Sequence, residues 1–574
     1  MNVDVKTCDS PPPKQLETSR FNLFESKSEN WKMSTLTSTL TRKPPSHMKR
    51  SPDISLQSKN HIIGSLITNS LGSLFVALTT FVASAADTLP NVVLLVSDDQ
   101  GWGDVGYHGG EMATPNIDKL VEEGMELNRF YTYPICSPTR TSLLTGHISM
   151  RHKVFEPFDT HSGDLTLSHE DQLMNQAFKN AGYMTMTAGK WHLGHTHVRD
   201  FPINRGFDHT YGSLEAFPDY WTHNGRGGSK DWARDGKTVF ENGYITDLFG
   251  NEISRLIRDR DPSKPFFSYV AFTAPHAPLQ APQEYVEKYA HIKDEGRRVF
   301  CAMVEVLDVA IGNILKAIDD EGIRDNTIVM FFSDNGAGPV GDNGDFRGRK
   351  GQLYEAGTRM PAAIRWPGKI PAGIRSEQPM VVYDLFPTLV DAIGLKTDLR
   401  TPFDGESVWD TLRTGKTRPR KTDIVIGNAT GYSVHSGYYK LVHSNINKNA
   451  PEHGPQELVE LFKIYEDPNE TTNVVNGQPE IVEKLVAKHA EWAQMISEAP
   501  YRERTGGRRN RAGTGPVGQG GRTGIDAAGG GAGDRQGARA GGRQSGGPRG
   551  GDRPPPPRDS DGNIIHLHET VPSG

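Results

Sequence analysis

The chain of 574 residues is 35% hydrophobic and 23% charged, with a mean hydropathy of −0.55. This length favours one large domain with an appendage, or two to three ordinary domains. Residues 86–500 carry 42 lysines and arginines against 57 acidic residues, a net charge of −15. Nonspecific nucleic-acid binding is therefore a poor hypothesis, because little positive field is left. The cysteines Cys8, Cys136 and Cys301 are too few for a disulfide scaffold or a zinc site of four thiolates.

A secretory signal peptide is predicted near the N-terminus. Residues 60–86 contain no Asp, Glu, Lys or Arg, follow a basic pair at 49–50, and include an A-x-A site at 83–85. These features together predict a signal peptide over residues 48–85 and export of the mature protein. A membrane anchor is the alternative, which we disfavour because Ser, Thr, Asn and Gly interrupt the apolar run. Residues 1–47 are then a wrongly assigned or processed extension.

Short apolar runs in residues 86–400 predict the strands of a sheet. The run NVVLLV at 91–96 is apolar without interruption, which is typical of a strand buried on both faces. Three further runs suited to strands follow at 183–187, 266–272 and 327–332.

Amphipathic helices are predicted between these strands. One begins at Pro115 after an N-cap at Thr114 and ends at Gly124, and another runs over 173–182. The longest has an apolar stripe at helical spacing, made of Val299, Met303, Val306 and Ala310. Alternating strands and helices predict an α/β fold, with a large, mostly parallel sheet flanked by helices.

The pattern changes after residue 400. In residues 401–500, strand-like runs at 424–429 and 438–443 precede a helix over 481–495. We interpret them as a smaller C-terminal antiparallel sheet with a packed helix. Residues 501–574 hold 21 of the 62 glycines and have little apolar surface to bury, so a disordered tail is predicted. An RNA-binding tail is the weaker alternative.

Polar side chains follow four of the predicted strands, at the point where each strand ends. They are Asp98, Asp99, Lys190, His192, His276, Asp334 and Asn335. Since ligands bind at the carboxyl ends of strands in open α/β sheets, we expect these side chains at one edge. Three carboxylates and an amide offer oxygen ligands, which favour Ca²⁺ or Mg²⁺ over zinc. Three adjacent anions also repel one another unless a cation is present.

Cys136 is predicted to lie at the N-terminus of a helix. Pro138 suits the first turn, and Gly146 ends a short helix. The helix dipole and free N–H groups at such a position favour a bound anion, and Arg140, one turn on, lies on the same face. Cys301 lies within the apolar stripe of the long helix, so we interpret it as a core residue.

The run Cys-Ser-Pro-Thr-Arg at 136–140 resembles the sulfatase signature Cys-x-Pro-x-Arg, in which a maturation enzyme oxidises the cysteine to formylglycine. Five further motifs follow the order found in that family: LVSDDQGWGD at 95–104, GKWHLG at 189–194, APHAPLQAP at 274–282, SDNG at 333–336 and GRKGQLYEAG at 348–357. The resemblance covers about residues 88–500. It implies an alkaline-phosphatase-like fold and hydrolysis of sulfate esters.

One branch of the family is more similar than the others. RGFD at 205–208 and the run over 276–314 are similar to arylsulfatase B, which removes the 4-sulfate of N-acetylgalactosamine. This similarity implies a sulfated carbohydrate or an aryl sulfate as substrate. The segment 211–245, rich in aromatic residues and glycine, is expected at the rim of the pocket.

The resemblance also implies a metal site. Asp98, Asp99, Asp334 and Asn335 match the family's calcium ligands, with one Ca²⁺ per chain. Cys136, as formylglycine, matches the nucleophile and is a further neighbour of the metal. This set agrees with the oxygen ligands inferred from the strand ends.

The remaining matches concern binding and proton transfer. Arg140 and Lys190 match cations that hold the formylglycine hydrate, and His192 matches a residue that hydrogen-bonds it and helps to expel sulfate. His276 and Lys350 match groups that contact the sulfate ester and assist the leaving oxygen.

Two positions depart from the family pattern. His147 stands where the family commonly has Arg, and the run at 355–357 is Glu-Ala-Gly in place of Glu-Gly-Gly. The sequence also allows two alternatives to a sulfatase. One is a phosphatase or phosphodiesterase of the same superfamily, which is expected to use a Ser or Thr nucleophile and a histidine-rich two-metal site. The other is a noncatalytic binder of sulfated glycans with an unconverted Cys136.

Overall fold

The computed structural model describes four stretches of the chain: residues 89–158, 166–225, 228–445 and 456–498. The predicted extension over 1–47, the signal peptide over 48–85 and the tail over 501–574 lie outside these described residues. Among the described residues, none of the helices combines the length and apolar character needed to span a bilayer.

The described residues form seventeen strands, numbered in chain order. They are β1 (Asn91–Ser97), β2 (Met125–Leu127), β3 (Phe130–Tyr131), β4 (Met184–Lys190), β5 (His209–Ser213), β6 (Trp232–Arg234), β7 (Lys237–Thr238), β8 (Phe266–Ala271), β9 (Thr327–Ser333), β10 (Arg359–Met360), β11 (Ala362–Arg365), β12 (Ile374–Ser376), β13 (Met380–Val381), β14 (Ile424–Asn428), β15 (Gly431–Ser436), β16 (Tyr439–Asn445) and β17 (Glu457–Phe462).

The same residues form ten α-helices: α1 (Pro115–Glu122), α2 (Cys136–Thr145), α3 (Met174–Asn180), α4 (Ile245–Asp259), α5 (Gln283–Lys288), α6 (Glu295–Asp320), α7 (Glu355–Thr358), α8 (Leu385–Ile393), α9 (Trp409–Thr414) and α10 (Pro479–Glu498). Short 3-10 helices lie at Gly106–His108, Ser149–His152, Val198–Asp200, Pro202–Arg205, Arg324–Asn326, Val382–Asp384 and Val475–Gly477.

The largest sheet has ten strands in the order β12-β2-β11-β9-β1-β8-β4-β5-β6-β7. Its centre, β9-β1-β8-β4-β5, is parallel, whereas β11, β6 and β7 run antiparallel to their neighbours. Strands joined by helical crossovers pair in parallel, so the predicted α/β fold is confirmed. Several edge strands escaped prediction because two or three residues are too short to show a period.

Strand β1 is buried on both faces, as its apolar run predicts. Val93 and Leu95 belong to the apolar cluster that contains Met303 of α6. Leu94, on the opposite face, belongs to the cluster that contains Leu144 of α2. Each such aliphatic side chain contributes about 1.5–3 kcal/mol when fully buried, and this double burial holds the strand whose end carries the predicted site.

The C-terminal part forms a four-stranded antiparallel sheet in the order β14-β15-β16-β17, followed by α10. Lys440 of β16 joins this sheet to the rest of the molecule. Its Nζ lies 3.0 Å from Oε1 of Glu355 in α7 and 2.8 Å from Oε1 of Glu470. The small sheet and helix agree with the predicted architecture, while the domain boundary near residue 400 stays a prediction.

Candidate active site

The ends of β1 and β9 bring the predicted metal ligands together. These strands are parallel neighbours in which Ser97 pairs with Ser333, so Asp98 and Asp334 leave the sheet side by side. Asp99 adopts the left-handed conformation, with φ of 66°, and its N–H donates to Oδ1 of Asp334 at 3.4 Å. Asn335 donates from Nδ2 to Oδ1 of Asp99 at 2.7 Å. The register alone therefore gathers three carboxylates and an amide.

Cys136 is the first residue of α2, as predicted, and only 2% of it is exposed. Its Sγ and carboxylate oxygens of Asp98 and Asp334 all lie within 4.8 Å of one another. Nδ1 of His192 lies 3.3 Å from Sγ. Burial raises the pKa of the Cys136 thiol, against the opposing effect of Lys190. The cysteine is thus buried among polar groups and not in hydrocarbon.

The thiol and the ring of His192 are both neutral. Burial, together with the nearby Lys190 and Arg140, holds the pKa of His192 well below its usual range. Either group can donate in the hydrogen bond between Sγ and Nδ1, so this contact allows both neutral tautomers of His192. The buried Nε2 of His192 has no hydrogen-bond partner in the described part of the chain, and in the tautomer with the proton on Nε2 it is a donor available to an anion.

Three cations face the three carboxylates. Nη2 of Arg140 lies 2.8 Å from Oδ2 of Asp334 and 3.3 Å from Oδ2 of Asp98. Nζ of Lys190 lies 2.5 Å from Oδ2 of Asp98. The third cation, Lys350, has its Nζ 2.5 Å from Oδ1 of Asp99. These three cations compensate the repulsion among the three carboxylates. The repulsion was predicted from the sequence, but its compensation by protein cations was not.

The two buried carboxylates of this cluster do not ionise equally. Although burial opposes ionisation, Lys190, His276 and Arg140 hold the pKa of Asp98 well below its usual range. Burial, and then the charge of Asp98, raise the pKa of Asp334 to about 7. A second anion at this place is therefore disfavoured unless a further positive charge is present.

His276 follows β8 and reaches the same cluster. Its Nδ1 lies 2.7 Å from the carbonyl of Ala277, an acceptor, so Nδ1 carries the proton and Nε2 faces Asp99 at 3.5 Å. Burial lowers the pKa of His276, and Asp99 opposes this effect. The ring of Phe217 meets the imidazole edge-on at 4.7 Å, and Tyr220 donates to the carbonyl of His276. The segment 211–245 therefore borders the site.

Two oxygen atoms fit a divalent cation. Oδ1 of Asp98 and Oδ1 of Asn335 are buried and have no hydrogen-bond partner among the described residues. The amide of Asn335 is oriented by its Nδ2, which is held by Asp99. Buried oxygens are rarely left unsatisfied, and an oxygen-rich donor set suits a hard cation.

Sequence reasoning missed the residues that position the site. Ser137 donates from its hydroxyl to the carbonyl of His192 at 3.0 Å, and Thr139 donates to the carbonyl of Asp334 at 2.7 Å. Tyr269 of β8 contacts Arg140. Ser137 and Thr139 occupy the variable positions of the signature, so only the tertiary contacts reveal their role.

Every side chain predicted for the site lies in this one network, linked by the contacts above. The members are Asp98, Asp99, Cys136, Arg140, Lys190, His192, His276, Asp334, Asn335 and Lys350. The structure brings all of them together, and their individual roles stay predictions.

The profile of the sulfatase family matches residues 90–395. The chain is 31% identical to mouse (Mus musculus) arylsulfatase J over 470 residues, which cover 73% of this chain and 78% of that protein. It is 33% identical to human (Homo sapiens) N-acetylgalactosamine-6-sulfatase over 365 residues, or 59% of this chain and 68% of that protein. The chain belongs to the sulfatase family.

A solved structure supports the same assignment. The crystal structure of Ps i-CgsB in complex with k-i-k-neocarrahexaose aligns with a TM-score of 0.66 and 26% identity, over 72% of this chain and 95% of that chain. The protein has the alkaline-phosphatase-like sulfatase fold and is a sulfatase, an enzyme that hydrolyses sulfate esters. These relatives support the family but do not match the arylsulfatase B branch predicted from the sequence.

Proposed function

We propose that the protein removes sulfate groups from a sulfated carbohydrate, with formylglycine derived from Cys136 as nucleophile and one Ca²⁺ held by Asp98, Asp99, Asp334 and Asn335. The observation that carries the proposal is the buried Cys136 thiol, grouped within 4.8 Å with the carboxylates of Asp98 and Asp334. The names of relatives support the substrate class, since one is an N-acetylgalactosamine-6-sulfatase and another binds a neocarrahexaose.

The proposed metal is supported by its donor set. Carboxylate and amide oxygens are the ligands that calcium prefers, and Oδ1 of Asp98 and Oδ1 of Asn335 lack other partners in the described chain. Bound calcium supplies positive charge to the sulfuryl oxygens of the substrate. With the carboxylates engaged by the ion, Arg140, Lys190 and Lys350 have positive charge to spare for an anionic sulfate.

The proposed modification is supported by the state of the cysteine. A thiol whose pKa is raised by burial carries little thiolate, so unmodified Cys136 is a weak nucleophile. Formylglycine supplies, as its hydrate, a hydroxyl nucleophile on the same carbon. Conversion requires a formylglycine-generating maturation enzyme as a partner in the same cell.

Two histidines are placed to manage protons and charge. In the tautomer that carries its proton on Nε2, which has no other partner among the described residues, His192 is a donor for a sulfate oxygen. Nδ1 of His276 is fixed by the carbonyl of Ala277, so Nε2 is the atom at which a proton is taken up and passed to the departing alcohol oxygen. Lys350, whose Nζ contacts Asp99, adds charge beside the same oxygen.

The deciding experiment is mass analysis of the tryptic peptide that contains Cys136, after co-expression with a formylglycine-generating enzyme. We expect the aldehyde in the wild type and its absence in a Cys136→Ala control. Turnover of paired sugar sulfates and sugar phosphates is then compared in the converted protein. An unmodified thiol together with full sulfate turnover, or faster turnover of the phosphates, would overturn the proposal.

We also propose that the protein is exported and carries no membrane anchor once the segment over 48–85 is cleaved. The basic flank, apolar run and A-x-A site of that segment support this. N-terminal sequencing of the protein from the culture medium or periplasm tests it, with a start near residue 86 as the expected result.

A further inference from the structure

A second cluster of metal-binding side chains lies outside the predicted active site. It consists of His147, just after α2, His152, at the end of the 3-10 helix Ser149–His152, and Asp171, which precedes α3. One ligand atom of each lies within 4.8 Å of the others, and all three residues are buried. His147 is also the position at which this chain departs from the arginine common in its family.

The hydrogen bonding of His147 fixes which ring nitrogen carries the proton. Its Nε2 lies 3.2 Å from the carbonyl of Thr401, and a carbonyl can only accept, so Nε2 is protonated. In the neutral ring, Nδ1 is then a bare lone pair. It faces Nε2 of His152 at 3.2 Å and Oδ2 of Asp171 at 3.6 Å. A nitrogen that faces a buried carboxylate at this distance requires a positive charge between them, which either a proton on Nδ1 or a bound cation supplies.

The spacing of these atoms fits a tetrahedral ion. Zinc bonds of about 2.0–2.1 Å place neighbouring ligands about 3.3–3.4 Å apart. The separations of Nδ1 of His147 from the other two ligand atoms, 3.2 and 3.6 Å, lie on either side of this value. Two imidazoles and one carboxylate are also a donor set that suits zinc and not calcium. The carbonyl of Thr401 plays the usual part of an outer partner that orients a ligating histidine.

We propose that His147, His152 and Asp171 bind a Zn²⁺ ion through three protein ligands. The ion joins the chain that leaves α2 to the segment that leads into α3. Because α2 begins with Cys136, the site anchors the far end of the helix that presents the nucleophile. The proposal does not depend on the sulfatase reaction, because its test reads bound metal and not turnover.

The test uses the full chain, stripped with a chelator, incubated with zinc chloride and dialysed in buffer that contains calcium. Elemental analysis should find about one zinc per chain in the wild type and less than about a tenth of that in His147→Gln and Asp171→Asn. His169→Gln is the matched control, because His169 is 43% exposed in its side chain and pairs with Asp200. We expect it to retain zinc.

Two further measurements keep the result interpretable if a variant folds poorly. Cobalt added to the stripped wild type should produce the visible absorption of a tetrahedral ion, which needs no substitution. Zinc should also raise the Tm of the wild type, since a ligand of the native state stabilises it. If the wild type retains no zinc after dialysis, the proposal is wrong, and a proton shared between His147 and its neighbours accounts for the cluster. Zinc that persists in His147→Gln and is lost in Cys136→Ser overturns it in favour of binding at the active site.

Discussion

Two buried charge clusters in this molecule resemble each other in composition but differ in how fully their oxygens are used. At the joint with the C-terminal sheet, Lys440 contacts Oε1 of both Glu355 and Glu470. Oε2 of Glu355 accepts from Tyr131, and Oε2 of Glu470 accepts from the N–H of Glu355. Each carboxylate oxygen there faces a donor or a cation, and Oε1 of Glu470, which accepts no hydrogen bond, is paired with Nζ of Lys440 at 2.8 Å. At the active site, by contrast, Oδ1 of Asp98 has none in the described chain.

This difference separates a cluster that stabilises the fold from one that is arranged for a ligand. A saturated buried network contributes rigidity, because removing any partner leaves a charge uncompensated. Oxygens that are buried and unsatisfied cost stability in the isolated chain and gain their partner when an ion binds. Substitutions at the active site should therefore lower activity more than stability, whereas substitutions in the cluster around Lys440 should lower stability more than activity.

The largest expected effect is on activity, from Asp334→Ala in the active site. The variant removes a predicted calcium ligand and the partner of Arg140, so we expect calcium binding to be lost and kcat/KM to fall by at least about 10³-fold, as for other electrostatic groups of active sites. Calcium titration by calorimetry and turnover of an aryl sulfate measure both. Activity that survives in metal-free buffer would contradict the assignment.

The largest expected effect on stability comes from Lys440→Met at the other cluster. Glu355, whose pKa is held at about 2 against burial by Lys440 and Arg359, is left as a buried anion with less compensation. We expect a loss of about 3–5 kcal/mol in the free energy of unfolding, measured by urea denaturation, with unchanged kcat in the folded fraction.

Lys463→Met is the matched control for this comparison. Lys463 pairs with Glu466 at 3.5 Å on the surface, where such a pair contributes at most about 1 kcal/mol. Equal losses of unfolding free energy in the two variants would show that burial does not determine how much an ion pair contributes to stability.

A third buried carboxylate sharpens the comparison, because among the described residues it has N–H donors but no cation as partner. Asp308 of α6 accepts from the N–H groups of Asn116 and Ile117 at the start of α1, and burial raises its pKa to about 6. The folded state thus binds a proton more tightly than the unfolded state. The stability contribution of Asp308 is therefore present below pH 4 and falls as the pH rises to 6.

The unfolding free energy of the wild type relative to Asp308→Asn should fall by about 2 kcal/mol between pH 4 and pH 6. Urea melts of both proteins across that range provide the measurement. A difference that stays constant with pH would contradict the raised pKa.

The smallest expected effect concerns the rim of the active site. Phe217 is 37% exposed and touches His276, so its ring is placed to contact a substrate. We expect Phe217→Ala to raise KM for a sulfated oligosaccharide by about 5–10-fold, the cost of about 1 kcal/mol of aromatic contact, with a smaller change for a small aryl sulfate. Phe240→Ala, in another exposed aromatic of the same segment, is the control. Equal changes of KM for the oligosaccharide and for the aryl sulfate would show that Phe217 does not contact the sugar.

Much of the architecture and all of the proposed site residues were predictable from local patterns. The uninterrupted apolar run of β1 predicts burial on both faces, and the polar residues after β1, β4, β8 and β9 predict a site at one sheet edge. These signals are local, because a strand's period and its terminal residues are visible in a few consecutive positions. The strands β3, β7, β10 and β13 have two residues each, and so lacked such a signal.

What the tertiary structure decided is the pairing between distant segments. The sequence alone determined which residue types stand at the strand ends and that Cys136 begins a helix. It did not determine that Arg140 bridges Asp98 and Asp334. Nor did it determine that Asp308 accepts hydrogen bonds from N–H groups at the start of α1, or that His147 contacts Asp171. Such contacts depend on sheet order and helix packing, which place side chains that are far apart in the chain within bonding distance. Charge balance and unsatisfied oxygens are properties of that arrangement, and no single segment encodes them.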